Sequence, residues 1–349
     1  MIFPIFLPHL GCGRRCTYCN QHVITSRQAG DLARSLPADM SLLQSGSEVA
    51  LYGGNPLGLP ADELAALLSL LAPWKDKIRN VRISAKPGKI MPEMLEVLKA
   101  HHVTVVELGI PSFNDRILRE LGRGHTVEDF RTAYGLLTEE GFTVGIQVMV
   151  GLPGEEAADL RETAEHIKNL RPSFLRIYPL VVLKGTELER LHREKGFFPV
   201  TLEEAVDRTL FLYLNALNQG VPVIKMGLTE NDMVQESVVA GPYHPAFGAL
   251  VKARAFYLSL IGLCHRFSLT GDVIVMVNDH DIPNLVGHRR SNLRKLKEEG
   301  ILLRWEKADV EVGSFFVKSG SLDVRGNVSD ALATIPFSDL TPPRTQSLS

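Results

Sequence analysis

Short apolar runs alternate with amphipathic runs through the first 180 residues, and this rhythm restricts the fold more than any other feature. The strand-like runs are 2–7, 48–52, 80–84, 103–108, 143–150 and 174–178. Between them, 61–71 carries Leu64, Leu67, Leu68 and Leu71 on one helical face, and 157–170 carries Leu160, Ala164, Ile167 and Leu170. Pro92 suits a first helical turn, and Thr126 with Asp129 has capping spacing before a helix that stops at Gly141. Strands alternating with helices predict an α/β fold around a parallel sheet. If that sheet curls into a barrel, the working loops lie at the C-terminal ends of the strands. Strand counting alone leaves an open, doubly wound sheet as the alternative.

Immediately after the first strand come Cys12, Cys16 and Cys19, spaced C-x3-C-x2-C. Three thiolates on one loop can hold three corners of a cubane iron–sulfur cluster and leave the fourth iron open to a small molecule. The competing reading is a tetrahedral zinc site of Cys12, Cys16, Cys19 and His22, although no second ligand pair follows at the usual spacing. A disulfide fits poorly, because the cluster is odd in number and the fourth cysteine, Cys264, is far away in sequence.

At 349 residues, 45% hydrophobic and 22% charged, the chain can bury a sizeable core. A net charge of −2 does not mark the whole chain as a nucleic-acid binder, though it permits a local basic patch. Residues 1–7 are apolar, but Pro4 and Pro8 interrupt them and no basic segment precedes them, so no secretory leader is expected. No run reads as the ~18–20 apolar residues of a membrane span. Few, clustered cysteines suit a reducing compartment, and the expected location is cytoplasmic, with no membrane partner.

Further motifs sit at strand ends. Gly53-Gly54-Asn55-Pro56 follows the second strand. Glu107-Leu108-Gly109-Ile110-Pro111-Ser112-Phe113 follows the fourth, then Leu121-Gly122-Arg123-Gly124-His125-Thr126. The fifth ends in Gln147-Val148-Met149-Val150-Gly151-Leu152-Pro153-Gly154-Glu155. With the cysteine loop and Tyr18 before its third thiol, these motifs resemble the radical S-adenosylmethionine (SAM) superfamily. Within it they resemble the branch of the Elongator catalytic subunit and the oxygen-independent coproporphyrinogen III oxidases.

That resemblance implies a partial (β/α)6 barrel of the TIM type, a [4Fe–4S] cluster on Cys12, Cys16 and Cys19, and SAM as cofactor. It implies a SAM site drawn from Tyr18, Gly53, Gly54, Asn55, Pro56, Glu107, Ser112, Arg123 and Gln147. Three positions depart from the branch: Asn55 stands where an acid is common, Pro111 where glutamine is usual, and Gln147 where the oxidases have aspartate. Arg176-Ile177-Tyr178-Pro179-Leu180 with Lys184-Gly185-Thr186-Glu187-Leu188 is more like the Elongator subunit. The resemblance runs over residues 3–200. The Elongator subunit continues into an acetyltransferase domain, and this chain is expected to lack one.

The implied domains are a radical SAM core barrel at 1–200, a small α+β C-terminal extension at 201–320, and a partly flexible tail at 321–349. Within the extension, 272–277 and 301–305 read as strands. Residues 287–297 hold six Arg, Lys or His and no acid, which suits either a solvated helix face or RNA phosphates. His244, Tyr178, Lys184 and Lys225 could reach a substrate, but no catalytic residue is assigned.

The resemblance thus implies an iron–sulfur enzyme of oxidoreductase or transferase type that cleaves SAM reductively to a 5′-deoxyadenosyl radical. Its substrate is unknown, with tRNA or another RNA as one candidate. Its electron donor would be a ferredoxin or flavodoxin. The alternatives are a porphyrin- or haem-related protein of the oxidase type and a zinc-stabilised binding module.

Overall fold

The structure is a computed structural model that describes residues 2–25, 36–38, 40–228, 232–320 and 322–335. All six expected strands form: β1 (Ile2–Phe6), β2 (Ser47–Tyr52), β3 (Ile78–Ala85), β4 (Val103–Gly109), β5 (Thr143–Val150) and β6 (Phe174–Pro179). Two-residue β7 (Val182–Leu183) follows. The short run at 223–226, left unassigned from sequence, is β8 (Val223–Met226). It joins the sheet as a seventh strand, in the order β1-β2-β3-β4-β5-β6-β8, every pair parallel. The result is the partial barrel of the expected class with one strand more than counted.

Crossover helices cover its outer face. In Val127–Glu139 the capping box of Thr126 and Asp129 is present, and Val127, Phe130, Ala133 and Leu137 are buried. The helix Leu202–Asn218 packs against Ala157–Leu170 and leads into β8. At their junction Glu155, last residue of the glycine-rich loop after β5, accepts Gly151 N–H (2.7 Å) and lies 3.2 Å from Arg208 Nη1. Burial pushes Glu155 up to about 7, against the pull of Arg208. This glutamate therefore ties a loop to a helix and does not face the cavity described below.

The C-terminal unit is a four-stranded sheet, β11-β10-β12-β13, built from β10 (Gly271–Val277), β11 (Ile301–Lys307), β12 (Ser314–Ser319) and β13 (Leu322–Asn327). Three-residue β9 (Val238–Ala240) lies earlier in the chain and pairs with β7. Two assignments made from sequence look different here. Residues 202–226, placed in the extension, complete the barrel. Residues 322–335, placed in the tail, form β13 and a 3-10 helix that packs on the long helix Phe247–Arg266; residues 336–349 lie outside the described residues. That long helix also corrects the expectation about membrane spans. By length and composition it could cross a bilayer, but 56% of its apolar window is buried inside the protein. Lys252 and Arg254 interrupt it, so its sequence holds no unbroken apolar run of that length.

Inside the barrel, Gly145 and Phe174 are paired in register on β5 and β6. A Cβ on Gly145 would lie 2.1 Å from the Phe174 ring, so only glycine admits that ring. Gly145→Ala should therefore overpack the interior and cost about 1–3 kcal/mol in urea unfolding. Adding Phe174→Leu should recover part of the loss; an unchanged midpoint in the single variant would contradict this packing.

Candidate functional site

The site is built on the same face of the sheet as Phe174, one layer closer to the strand C-termini. Side chains two residues apart share a face, so β2 supplies Tyr52, β3 Arg82 and Ser84, β4 Glu107, and β6 Arg176 and Tyr178. The register aligns Gly109, Gln147, Arg176 and Lys225 as one row across β4, β5, β6 and β8.

Below this row lies a buried ionic lattice. Glu107 accepts hydrogen bonds from Tyr52 Oη (3.1 Å) and Arg82 Nη1 (2.7 Å), and its second oxygen is 3.0 Å from Arg176 Nε. Arg82 Nε also meets Glu48 at 2.5 Å, and its guanidinium lies 4.6 Å from the Phe174 ring centroid. Arg176 donates to Tyr52 Oη (2.6 Å) and Tyr178 Oη (3.2 Å). Burial opposes ionisation of Glu48, yet Arg82 and Asn80 hold its carboxyl below the usual range. Burial, and then Glu107, push the Tyr52 phenol up. Two carboxylates and two guanidiniums balance, as buried charges must; removing one partner from such a pair typically costs about 3–5 kcal/mol.

Above the lattice opens a cavity of about 360 Å³. Its walls bring together Cys12, Cys16, Tyr18, Cys19, Gly53, Gly54, Asn55, Glu107, Arg123 and Gln147. Pro56 and Ser112 are not among the lining residues. Pro56 is buried at the start of a 3-10 turn, and Ser112 Oγ accepts Asn114 N–H at 3.2 Å. Sequence reasoning missed Arg14, Gln21, Tyr52, Ser84 and Lys86 as lining residues, and gave Arg176 and Tyr178 no place at the SAM site. Period-two placement next to Glu107 and Gln147 is the signal that could have found the strand residues.

The cysteine loop is braced from several sides. Thr17 N–H donates to Leu121 C=O (3.0 Å), and Thr17 C=O accepts Leu188 N–H (2.8 Å). Arg123 reaches Cys16 Sγ (3.4 Å) and Tyr18 Oη (3.3 Å) through Nη1, and donates to Gly109 C=O through Nη2. Among the described residues it makes no ion pair with a carboxylate. Asn55 holds two loops together: Nδ2 donates to Gly11 C=O (3.3 Å) and Oδ1 accepts Lys86 N–H (2.8 Å). A Cβ on Gly11 would sit 2.2 Å from Asn55 C=O, so the loops approach this closely only through glycine. Gln21 Nε2 donates to Cys19 Sγ at 3.2 Å. Burial, and then Cys16, push the Cys19 thiol up to about 12.

Among the described residues, no three His, Cys, Asp or Glu are gathered closely enough to hold a single ion. The three thiols instead rim one cavity, which fits a multi-iron cluster whose thiolates bind different irons.

The sequence matches the Radical SAM superfamily over residues 6–167 and the Radical SAM C-terminal domain over residues 172–256. The chain belongs to the radical SAM superfamily, whose cofactors are a [4Fe–4S] cluster and SAM. It is 26% identical over 198 residues to the haem chaperone HemW of Bacillus subtilis, covering 53% of this chain and 52% of that protein. It is 36% identical over 107 residues to the tRNA uridine(34) acetyltransferase of Methanocaldococcus jannaschii, covering 30% of this chain and 20% of that one. The chain thus spans about half the length of the first relative and a fifth of the second. In three dimensions it resembles Elp3 of Methanocaldococcus infernus, with a TM-score of 0.56 at 18% identity over 90% of this chain and 72% of that one, a likeness of fold.

His125, beside the cavity wall, yields a pH prediction. Burial, Arg123 and Lys86 lower its pKa from 6.5 to about 3. The unfolded chain then binds the extra proton between these values, so this contribution to stability is complete above about pH 6.5 and falls as pH drops toward 3. His125→Gln should flatten the acid side of a stability–pH profile measured by denaturant unfolding. An equally steep acid limb in the variant would contradict a buried, neutral His125.

Proposed function

We propose that this chain is an enzyme that cleaves SAM reductively and turns the resulting radical on an RNA substrate. The observation that carries the reading is the single cavity in which three thiols face Gly53-Gly54, Asn55, Arg123 and Gln147. A bound [4Fe–4S] cluster would supply the electron that splits SAM into methionine and a 5′-deoxyadenosyl radical. Cys12, Cys16 and Cys19 would hold that cluster. The protein's own contributions are binding, orientation and exclusion of water. Arg123 places a permanent cation beside Cys16 and fixes Tyr18. The glycines at 53 and 54 open the backbone to a close ligand, and Asn55 locks that turn to the cysteine loop. Gln147 and Arg176 stand side by side on the cavity wall, and Arg176 is also the lattice cation that meets Glu107. Glu107 lines the cavity with one oxygen taken by Tyr52 and Arg82 and the other beside Arg176 Nε, so it positions Arg176.

Likeness to the tRNA uridine(34) acetyltransferase supports RNA as the substrate class. Likeness to the haem chaperone supports the haem-related reading, which the same assay separates. A ferredoxin or flavodoxin would be the electron donor.

Anaerobically reconstituted protein given SAM and dithionite should form 5′-deoxyadenosine and methionine, measured by liquid chromatography. Cys12→Ala should lose more than the roughly 10–100-fold that outer-shell changes at metal sites cost. No 5′-deoxyadenosine above background would overturn the reading, and a Soret shift on haem titration of that same protein would favour the haem reading.

A further inference from the structure

The basic run noted in the sequence folds into an exposed tip on the working face of the barrel. Its place follows from the chain path. Gly227 N–H donates to Ile177 C=O (3.0 Å) at the C-terminal end of β8, and Phe247 packs directly on Gly227. His244, whose carbonyl accepts Phe247 N–H (3.1 Å), lies in the loop just before the long helix. The His244 and His288 rings meet edge to face, 5.1 Å between centroids. His288, Arg289 and Arg290 therefore sit at the same end of the strands as the cysteine loop, which follows β1. The helix Gln21–Thr25, which follows the cysteine loop, touches Asp232–Ser237, which follows β8, so the connections after β1 and β8 meet at this end of the barrel.

The charges on the tip are uncompensated. His288, Arg289, Arg290, Arg294 and Lys297 are all exposed, and among the described residues Arg289, Arg290, Arg294 and Lys297 make no ion pair. Glu298 follows Arg294 by one turn of the helix Ser291–Glu298 and Glu299 lies 3.7 Å from His265, and among the described residues neither forms an ion pair with Arg289, Arg290, Arg294 or Lys297. Arg289 and Arg290 are both held in the left-handed region, at φ 50° and 62°, which L residues rarely adopt. Arg14 and Arg15 on the cysteine loop are likewise exposed and without an ion pair among the described residues. A surface with fixed cations on the tip and on the cysteine loop, at the same end of the strands, suits a ligand whose negative charges are regularly spaced.

We infer that the tip formed by His288, Arg289, Arg290 and Arg294 is the phosphate-binding surface for RNA, holding its backbone while one nucleotide reaches the cavity. This inference rests on the RNA reading above. A phosphate backbone fits better than an acidic protein or a membrane, because it can reach the tip and the cavity with one continuous chain of charge.

The test uses fluorescence anisotropy with fluorescein-labelled total tRNA and the full chain, between about 50 and 200 mM salt. Each lost phosphate contact lowers the log–log salt slope by roughly 0.7–0.9. The variant is Arg289→Gly with Arg290→Gly, since glycine favours left-handed backbone and preserves the turn. We expect at least a tenfold loss of affinity and a slope smaller by about 1.4–1.8. Unchanged affinity and slope, or no tRNA binding by the unmodified chain, would overturn the inference. So would binding to phosphatidylserine vesicles that the variant loses while keeping tRNA. Measured in parallel, tRNA binding through the tip without any 5′-deoxyadenosine formation would refute the radical reading and leave this surface standing.

Discussion

The arrangement depends on one buried interaction, the contact of Glu107 with Arg82, Arg176 and Tyr52. Parallel barrels ordinarily fill their interior with layers of apolar side chains. Here one layer is ionic, with Phe174 and Gly145 packed against it. Charges survive there because each is paired: Glu48 and Glu107 against Arg82 and Arg176. A paired layer forms a rigid polar floor and leaves the space above it to a ligand. Phenols, guanidiniums and an amide line that space, and these groups bind a polar cofactor by hydrogen bonds.

The cysteine loop is equally dependent on its neighbours. It has little regular structure of its own and takes its shape from Leu121, Leu188, Asn55 and Arg123, residues distant in sequence. Preorganisation of this kind matters for a cluster site, because ligands held by other elements lose less freedom when they bind. Arg123 links the two halves of the site. It touches a thiol, a phenol and a strand carbonyl at once, so the electrostatics of the loop and the position of β4 are coupled.

The sequence made much of this legible, for identifiable reasons. The apolar runs of the six strands stand out between amphipathic helices, most plainly in β2, β4 and β5, which are largely buried. β8 did not, because it has four residues and places Lys225 in the interior row beside Arg176. The long helix Phe247–Arg266 escaped because two cations break its apolar run. At the site, spacing singled out Cys12, Cys16 and Cys19 and the resemblance implied Arg123 and Gln147, and all five line the cavity. Tyr52, Lys86 and the lattice were not, since they meet only through sheet register between strands far apart in sequence. Asn55 was expected to face a ligand; it lines the cavity, but its amide also locks two loops together. The basic run was visible as composition, and only the folded path put it on the working face.

The central claim is that three thiols hold a cluster with an iron open to SAM. Low-temperature EPR of anaerobically reconstituted, dithionite-reduced protein tests this most directly, recorded with and without SAM. The account predicts a [4Fe–4S]⁺ signal whose g-values shift when SAM is added. A reduced protein with no cluster signal and stoichiometric zinc would contradict it.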